Sequence, residues 1–194
     1  MKKIAALFIA PMVALYSNTT INLPIPNSEC KIPNEIMTAL AMTERSPKKK
    51  IGYTYLIRIN GKTNSKQAKE KLSREIKEKK IALLERDKFG DVYDCQNEKN
   101  CNEATRTLIK NGIKNIDLGA YQTNYRYHPS KIEHYFKFET SYMLACKYQH
   151  ELVNQYGWSW QTVAKYHSKT KEHNERYQKL LIANYKKVIG WNKK

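Results

Sequence analysis

The sequence predicts a mainly α-helical protein of the α+β class, built as one domain with a small β-hairpin inserted between helices. Three observations predict it. Apolar residues recur at helical spacing in several separate stretches, whereas one stretch, 52–59, alternates strictly and reads as a strand. Helix punctuation also falls where those patterns end: Pro33, Ser46-Pro47, Gly112, Gly157 and Ser159. With no internal repeat and no Gly/Ser linker in 194 residues, a single core suffices.

At the start, Met1-Lys2-Lys3 precedes an apolar run, Ile4 to Tyr16, interrupted only by Pro11. This predicts a secretory signal over 1–17, too short to span a bilayer, with cleavage near Ser17. The pair at Leu15 and Ser17 fits the small-residue rule poorly, and an uncleaved anchor is the alternative. No cysteine directly follows the run, so Cys30 is not expected to carry lipid. Residues 18–29 read as an extended arm.

The first helix is predicted from Pro33 to about Arg45, with Ser46-Pro47 stopping it. Ile36, Leu40 and Glu44 share one stripe, so a carboxylate sits at the C-terminal end of a buried face. Lost solvation and the negative end of the helix dipole both favour its protonated form, which is what a general acid needs. The competing reading is a surface ion pair with Arg45 or a lysine of 48–50. In the alternating stretch, Tyr53, Tyr55, Ile57 and Ile59 face one way, and Asn60-Gly61 signals a turn into a hairpin. The return strand is expected to be delayed by an insertion, 62–101. That insertion holds a charged helix at 64–80, with Ala68, Leu72 and Ile76 as its narrow apolar stripe and Lys66/Glu70, Glu70/Arg74 and Glu75/Lys79 as supporting pairs. It reads as a solvated helix, with partner docking as the alternative.

After Cys101, Ala104, Leu108 and Ile109 predict a helix that Gly112 stops. The stretch 116–125, IDLGAYQTNY, reads as a loop, in which Gly119 permits a close turn that aims Gln122. A helix over about 139–156 buries Tyr142, Met143, Cys146, Leu152 and Val153. Ser159 is the expected N-cap of the next helix, with Val163, Ala164 and Tyr166. Trp158 and Trp160 beside it are read as packing, with sugar stacking as the alternative. The last helix places Tyr177, Leu180, Leu181, Asn184, Tyr185 and Val188 on a core stripe.

Export favours disulfides for the four cysteines. Four cysteines allow three pairings; Cys95 and Cys101 close a short polar loop, which leaves Cys30 with Cys146. Zinc is the rival, but no CxxC or HxxxH spacing supports it, and neither metal nor cofactor is expected. The balance of 35 Lys and Arg against 18 Asp and Glu gives a net charge of +17, a surface suited to polyanions. Because the charge is spread along the chain, nucleic acid is not the expected partner.

Four motifs occur in order: AMTERS around Glu44, IDLGAYQTNY, AKYHS at 164–168 and NERY at 174–177. Together they resemble the lysozyme-like domain of soluble lytic transglycosylases, in the subgroup with a YHS motif, over roughly 36–188. The resemblance implies a lysozyme-like fold and a peptidoglycan substrate. It makes Glu44 the only catalytic acid and carries Gln122, Asn124, Tyr166 and His167 over as substrate-cleft residues. Tyr166 is implied to orient the acid. The subgroup's aromatic hairpin forms one cleft wall, which implies a substrate contact for Tyr55. In the family a serine directly follows the acid; here Arg45 intervenes before Ser46, so that contact is not carried over. Ala120, Tyr121 and Thr123 also replace the usual apolar residues.

The implied reaction protonates the glycosidic oxygen after N-acetylmuramic acid from Glu44, which then takes a proton from the C6 hydroxyl as it closes onto C1. The product is a 1,6-anhydro end. A hydrolase would need a second carboxylate, and the spacing of Asp117 and Glu139 marks neither as that partner. Other readings are a lysozyme-type hydrolase and an inactive wall binder or secretion scaffold; a DNA-binding protein rests on charge alone. The expected protein is a periplasmic monomer acting on glycan strands, with a type IV secretion or conjugation apparatus as a candidate partner.

Overall fold

Asn34–Glu44 forms helix α1 in the computed structural model of the protein, which describes residues 29–191. The expected signal over 1–17 and residues 18–28 of the arm lie outside the described residues. Pro33 occupies the N-cap and Arg45 turns extended at the other end, so the helix runs almost as its punctuation predicts. Six consecutive residues, Met37 to Met42, are buried. A single apolar stripe would leave most of them in water, so α1 is surrounded rather than laid on a surface. Alanines at 39 and 41 let neighbours approach closely, chiefly α8 (Lys171–Trp191).

The predicted strand forms as β1 (Leu56–Asn60), but it does not turn back at Asn60-Gly61. Gly61, at φ 91°, instead begins α2 (Lys62–Lys71), which passes into α3 (Ser73–Lys77). The expected single helix is therefore broken at Leu72, which is buried as helix-spacing predicts, as is Ala68. The expected i,i+4 ion pairs do not form. Glu70 pairs with Lys71 and Glu75 with Arg74; the break at Leu72 separates Glu70 from Arg74.

The hairpin comes later, as β2 (Ala82–Arg86) and β3 (Gly90–Asp94). Helix α4 (Glu98–Lys110) follows, capped by Asn97, whose side chain accepts from Asn100 N–H. The stretch read as a loop contains β4 (Ile116–Leu118) and β5 (Thr123–Asn124). All five strands join one antiparallel sheet in the order β2-β3-β1-β4-β5. A two-strand hairpin was too small an expectation. The fold is mainly helical with a small five-stranded antiparallel sheet.

The short α5 (Glu133–Phe136) leads to α6 (Phe138–Tyr156), which Gly157 ends at φ 76°. Ser159 caps α7 (Trp160–Ala164), accepting from Thr162 N–H at 3.0 Å. Trp160 packs edge-on against Tyr185, but Trp158 is exposed. Both disulfides pair as expected: Cys30–Cys146 ties the start of the described chain to α6, and Cys95–Cys101 closes the turn into α4. Two disulfides suit an oxidising compartment. Among the described residues no helix is long and apolar enough to cross a membrane.

Two cores result. One surrounds α1 with side chains of α6, α7 and α8; the other fills the space between the back of the sheet and α2, α4 and α5. Ile57, Ile59, Ile116 and Leu118 enter the second core. Period-two alternation then turns the intervening side chains toward the helical half, where a cleft of about 1010 Å³ lies.

Candidate active site

The cleft floor is one row of side chains, one from each strand. Register pairs Glu85 with Val92, Val92 with Arg58, Arg58 with Asp117, and Asp117 with Asn124, and all five line the cleft. Opposite this row stands the end of α1, with Thr43 and Glu44, and beyond it the turn after α7 and the start of α8.

Glu44 is the last residue of α1. Its side chain makes no ion pair among the described residues; Lys49 pairs instead with Asp94, so the surface-pair reading fails. Tyr177 of α8 donates its phenolic O–H to Glu44 Oε1 at 2.5 Å. Removal from water raises the carboxyl from its ordinary 4.5 to about 8; the Tyr177 hydrogen bond opposes this, Asp117 adds to it and Arg58 opposes it. Near neutral pH Glu44 thus retains its proton while lining the cleft. That is the condition for a general acid.

Tyr166 is buried near enough to feel the Glu44 charge, as its motif implies, but its hydroxyl does not bond to Glu44. Its hydroxyl donates to the Tyr121 carbonyl at 2.8 Å and meets Thr123 Oγ1 at 3.1 Å, fixing the 119–123 turn against α7. The orienting tyrosine is Tyr177, which the apolar stripe of the last helix had marked as core. His167 lines the cleft and lies flat on Tyr177, rings 4.7 Å apart at an interplanar angle of 2°. Its imidazole is lowered from the usual range, first by desolvation and then by the neighbouring His173, Arg58 and Arg176, which disfavours the protonated ring. Stacking on the ring that binds Glu44 makes it a brace for the acid.

Gln122 and Asn124 both reach the cleft. Gly119 sits at φ 77°, and a Cβ there would lie 1.9 Å from the Tyr135 carbonyl oxygen, so only glycine fits this turn. Gln122, itself at φ 46°, donates from Nε2 to the Gly119 carbonyl at 2.7 Å. Asn124 is tied to Asp117: its Nδ2 donates to Oδ1 at 2.6 Å, while Asn60 Nδ2 donates to Oδ2 at 2.8 Å. Burial raises the Asp117 carboxyl, and the two asparagine hydrogen bonds, then Arg58, counter it. Since both oxygens accept, the hydrogen bonds fit the ionised form.

Tyr55 is a correction: it does not line the cleft. It packs edge-on against Tyr53, with rings 5.4 Å apart, and against the core behind the sheet. Alternation grouped Tyr53, Tyr55, Ile57 and Ile59 properly, but their face is the core face, and Leu56, Arg58 and Asn60 meet the cleft. Arg45 and Ser46 both line it as well. Ser46 is buried and donates to Glu85, so the displaced serine serves the wall of the site. Among the described residues no group of three His, Cys, Asp or Glu side chains is arranged to hold a metal.

No family model, curated protein or solved structure matches the chain. What can be said of its chemistry therefore rests on the four motifs and this geometry.

Proposed function

We propose that the protein is an exported lytic transglycosylase of the bacterial wall, acting in the periplasm, with a lysozyme-like arrangement of helices around α1. The observation that carries this is Glu44: a carboxyl raised to about 8, held by Tyr177 and set in a cleft large enough for several sugar rings. As acid it protonates the glycosidic oxygen following N-acetylmuramic acid, and the C1–O bond breaks. As carboxylate it then accepts the C6 hydroxyl proton while O6 bonds to C1. The proton cycle closes on one residue and needs no water. Arg58, Gln122 and the amides around Asp117 offer charged and hydrogen-bonding groups for hydroxyl and acetamido positions.

One observation favours a second reading. Asp117, unmarked by its spacing, lies in the same cleft and is felt electrostatically by Glu44. Two carboxylates in one glycan cleft are what a hydrolase employs. Mass spectrometry of fragments released from purified sacculi separates the two: 1,6-anhydro ends are the expected product, and reducing ends would mean hydrolysis, with Asp117→Asn then testing whether Asp117 serves the water.

A further inference from the structure

The insertion 62–101 has no role in that proton cycle, yet its hairpin reaches the cleft: Glu85, Phe89 and Val92 all line it. Phe89 stands at the turn between β2 and β3 and is 50 % exposed. Tyr127, just after β5, is 68 % exposed and lines the same cleft, as does Leu180 of α8 at 56 %. Scattered single apolar side chains on a surface need no explanation. Three large ones brought by three different elements to one concavity do.

The Phe89 turn is fixed before any ligand arrives. Asp87 Oδ1 accepts from the N–H groups of Phe89 at 2.7 Å and Gly90 at 3.0 Å, and Asp87 Oδ2 accepts from Arg58 at 2.8 Å. The Phe89 carbonyl accepts from Gly61 N–H at 2.6 Å. At Gly90 a Cβ would lie 1.9 Å from the Ile59 carbonyl oxygen, so the turn is pressed against β1. An exposed aromatic ring on a backbone held by three hydrogen bonds loses little freedom on binding. Lys88 lies 5.0 Å from the Phe89 ring centre, which sets a cation beside the platform.

We propose that Phe89 is a stacking platform for one pyranose ring of the glycan strand and Tyr127 for another along the same cleft, making the inserted hairpin a substrate-binding wall. The apolar C–H face of a sugar matches an exposed aromatic ring, while its hydroxyls remain in water at the open cleft. A protein partner docking on the same patch is the competing occupant. The inference rests on the glycan reading of the cleft, but it concerns binding and not bond cleavage.

The test is calorimetric titration of the mature chain carrying Glu44→Gln with the hexasaccharide of N-acetylglucosamine. Phe89→Ala in that background should weaken binding about tenfold, Tyr127→Ala several-fold, and Phe89→Trp should retain it. Far-UV circular dichroism and the thermal midpoint should not change, because the Phe89 ring is half in water. Absent binding, or affinities within twofold for both alanine variants, would overturn the subsite and leave the patch to a protein partner. The chemistry is judged separately by the ends of products from the unmutated protein, so either conclusion can fail without the other.

Discussion

Glu44 owes its proton to position: it ends a helix enclosed by core and faces a cleft instead of a cation. A rate profile should therefore show an alkaline limb near pH 8, since above it the acid is ionised before substrate binds. The two neighbours should move that limb in opposite directions. Tyr177→Phe removes a hydrogen bond that favours the carboxylate, so the limb rises; losing a charge-assisted hydrogen bond of about 1.5–3 kcal/mol should also cost kcat about 10–100-fold. Asp117→Asn removes a like charge, so the limb falls. Initial rates on sacculi between pH 5 and 9 check both, and unmoved limbs would exclude these residues from the environment of the acid. Glu44 was legible because a carboxylate broke an apolar stripe at Ile36 and Leu40. Tyr177 closes the NERY motif, but its role was not legible, since a tyrosine at core spacing looks the same whether its hydroxyl is idle or bound to an acid. Tyr55 failed for another reason: alternation says which side chains share a face, not which face meets the cleft.

At the scale of elements, α1, α4, α6, α7 and α8 were legible to within a few residues because periodicity and punctuation agree at Pro33, Gly157 and Ser159, whereas the short α5 and the break between α2 and α3 were not. Nor was the sheet. Strands β4 and β5 span three and two residues, too short for any alternation to register, and they exist only through pairing, β4 with β1 and β5 with β4. The hairpin signal at Asn60-Gly61 was overridden because Gly61 supplies a positive φ to begin a helix just as well as to make a turn. The two disulfides bind elements at very different range. Cys30–Cys146 spans 116 residues and Cys95–Cys101 spans 6, so loop-closure entropy gives about 5 kcal/mol to the first and about 2 kcal/mol to the second. Denaturant unfolding should accordingly show Cys30→Ser/Cys146→Ser losing more stability than Cys95→Ser/Cys101→Ser, and the reverse order would mean that the turn into α4 is the weaker point of the fold.

For the whole molecule, the desolvation that keeps the proton on Glu44 weakens the fold. Unfolded, Glu44 ionises at its ordinary 4.5; folded, it holds its proton to about 8. Between those values the folded state binds more protons, so stability falls as pH rises through the window. One pK unit corresponds to about 1.4 kcal/mol, which sets a ceiling of about 4 kcal/mol near pH 7.5. Glu44→Gln should thus match the parent below pH 4.5 and exceed it in stability at pH 7.5, as guanidinium unfolding would show; equal stability at both would mean that Glu44 is solvated. The net charge of +17 bears on partners and not on this balance, because the charges that act on Glu44 are Asp117 and Arg58, which oppose each other.

Glycan release from purified sacculi by Glu44→Gln beside the parent protein tests the central claim most directly. A folded variant, more stable than the parent at pH 7.5, should release no 1,6-anhydro fragments above background. Release at the parental rate would contradict the assignment of Glu44 as the acid and, with it, the proposed reaction.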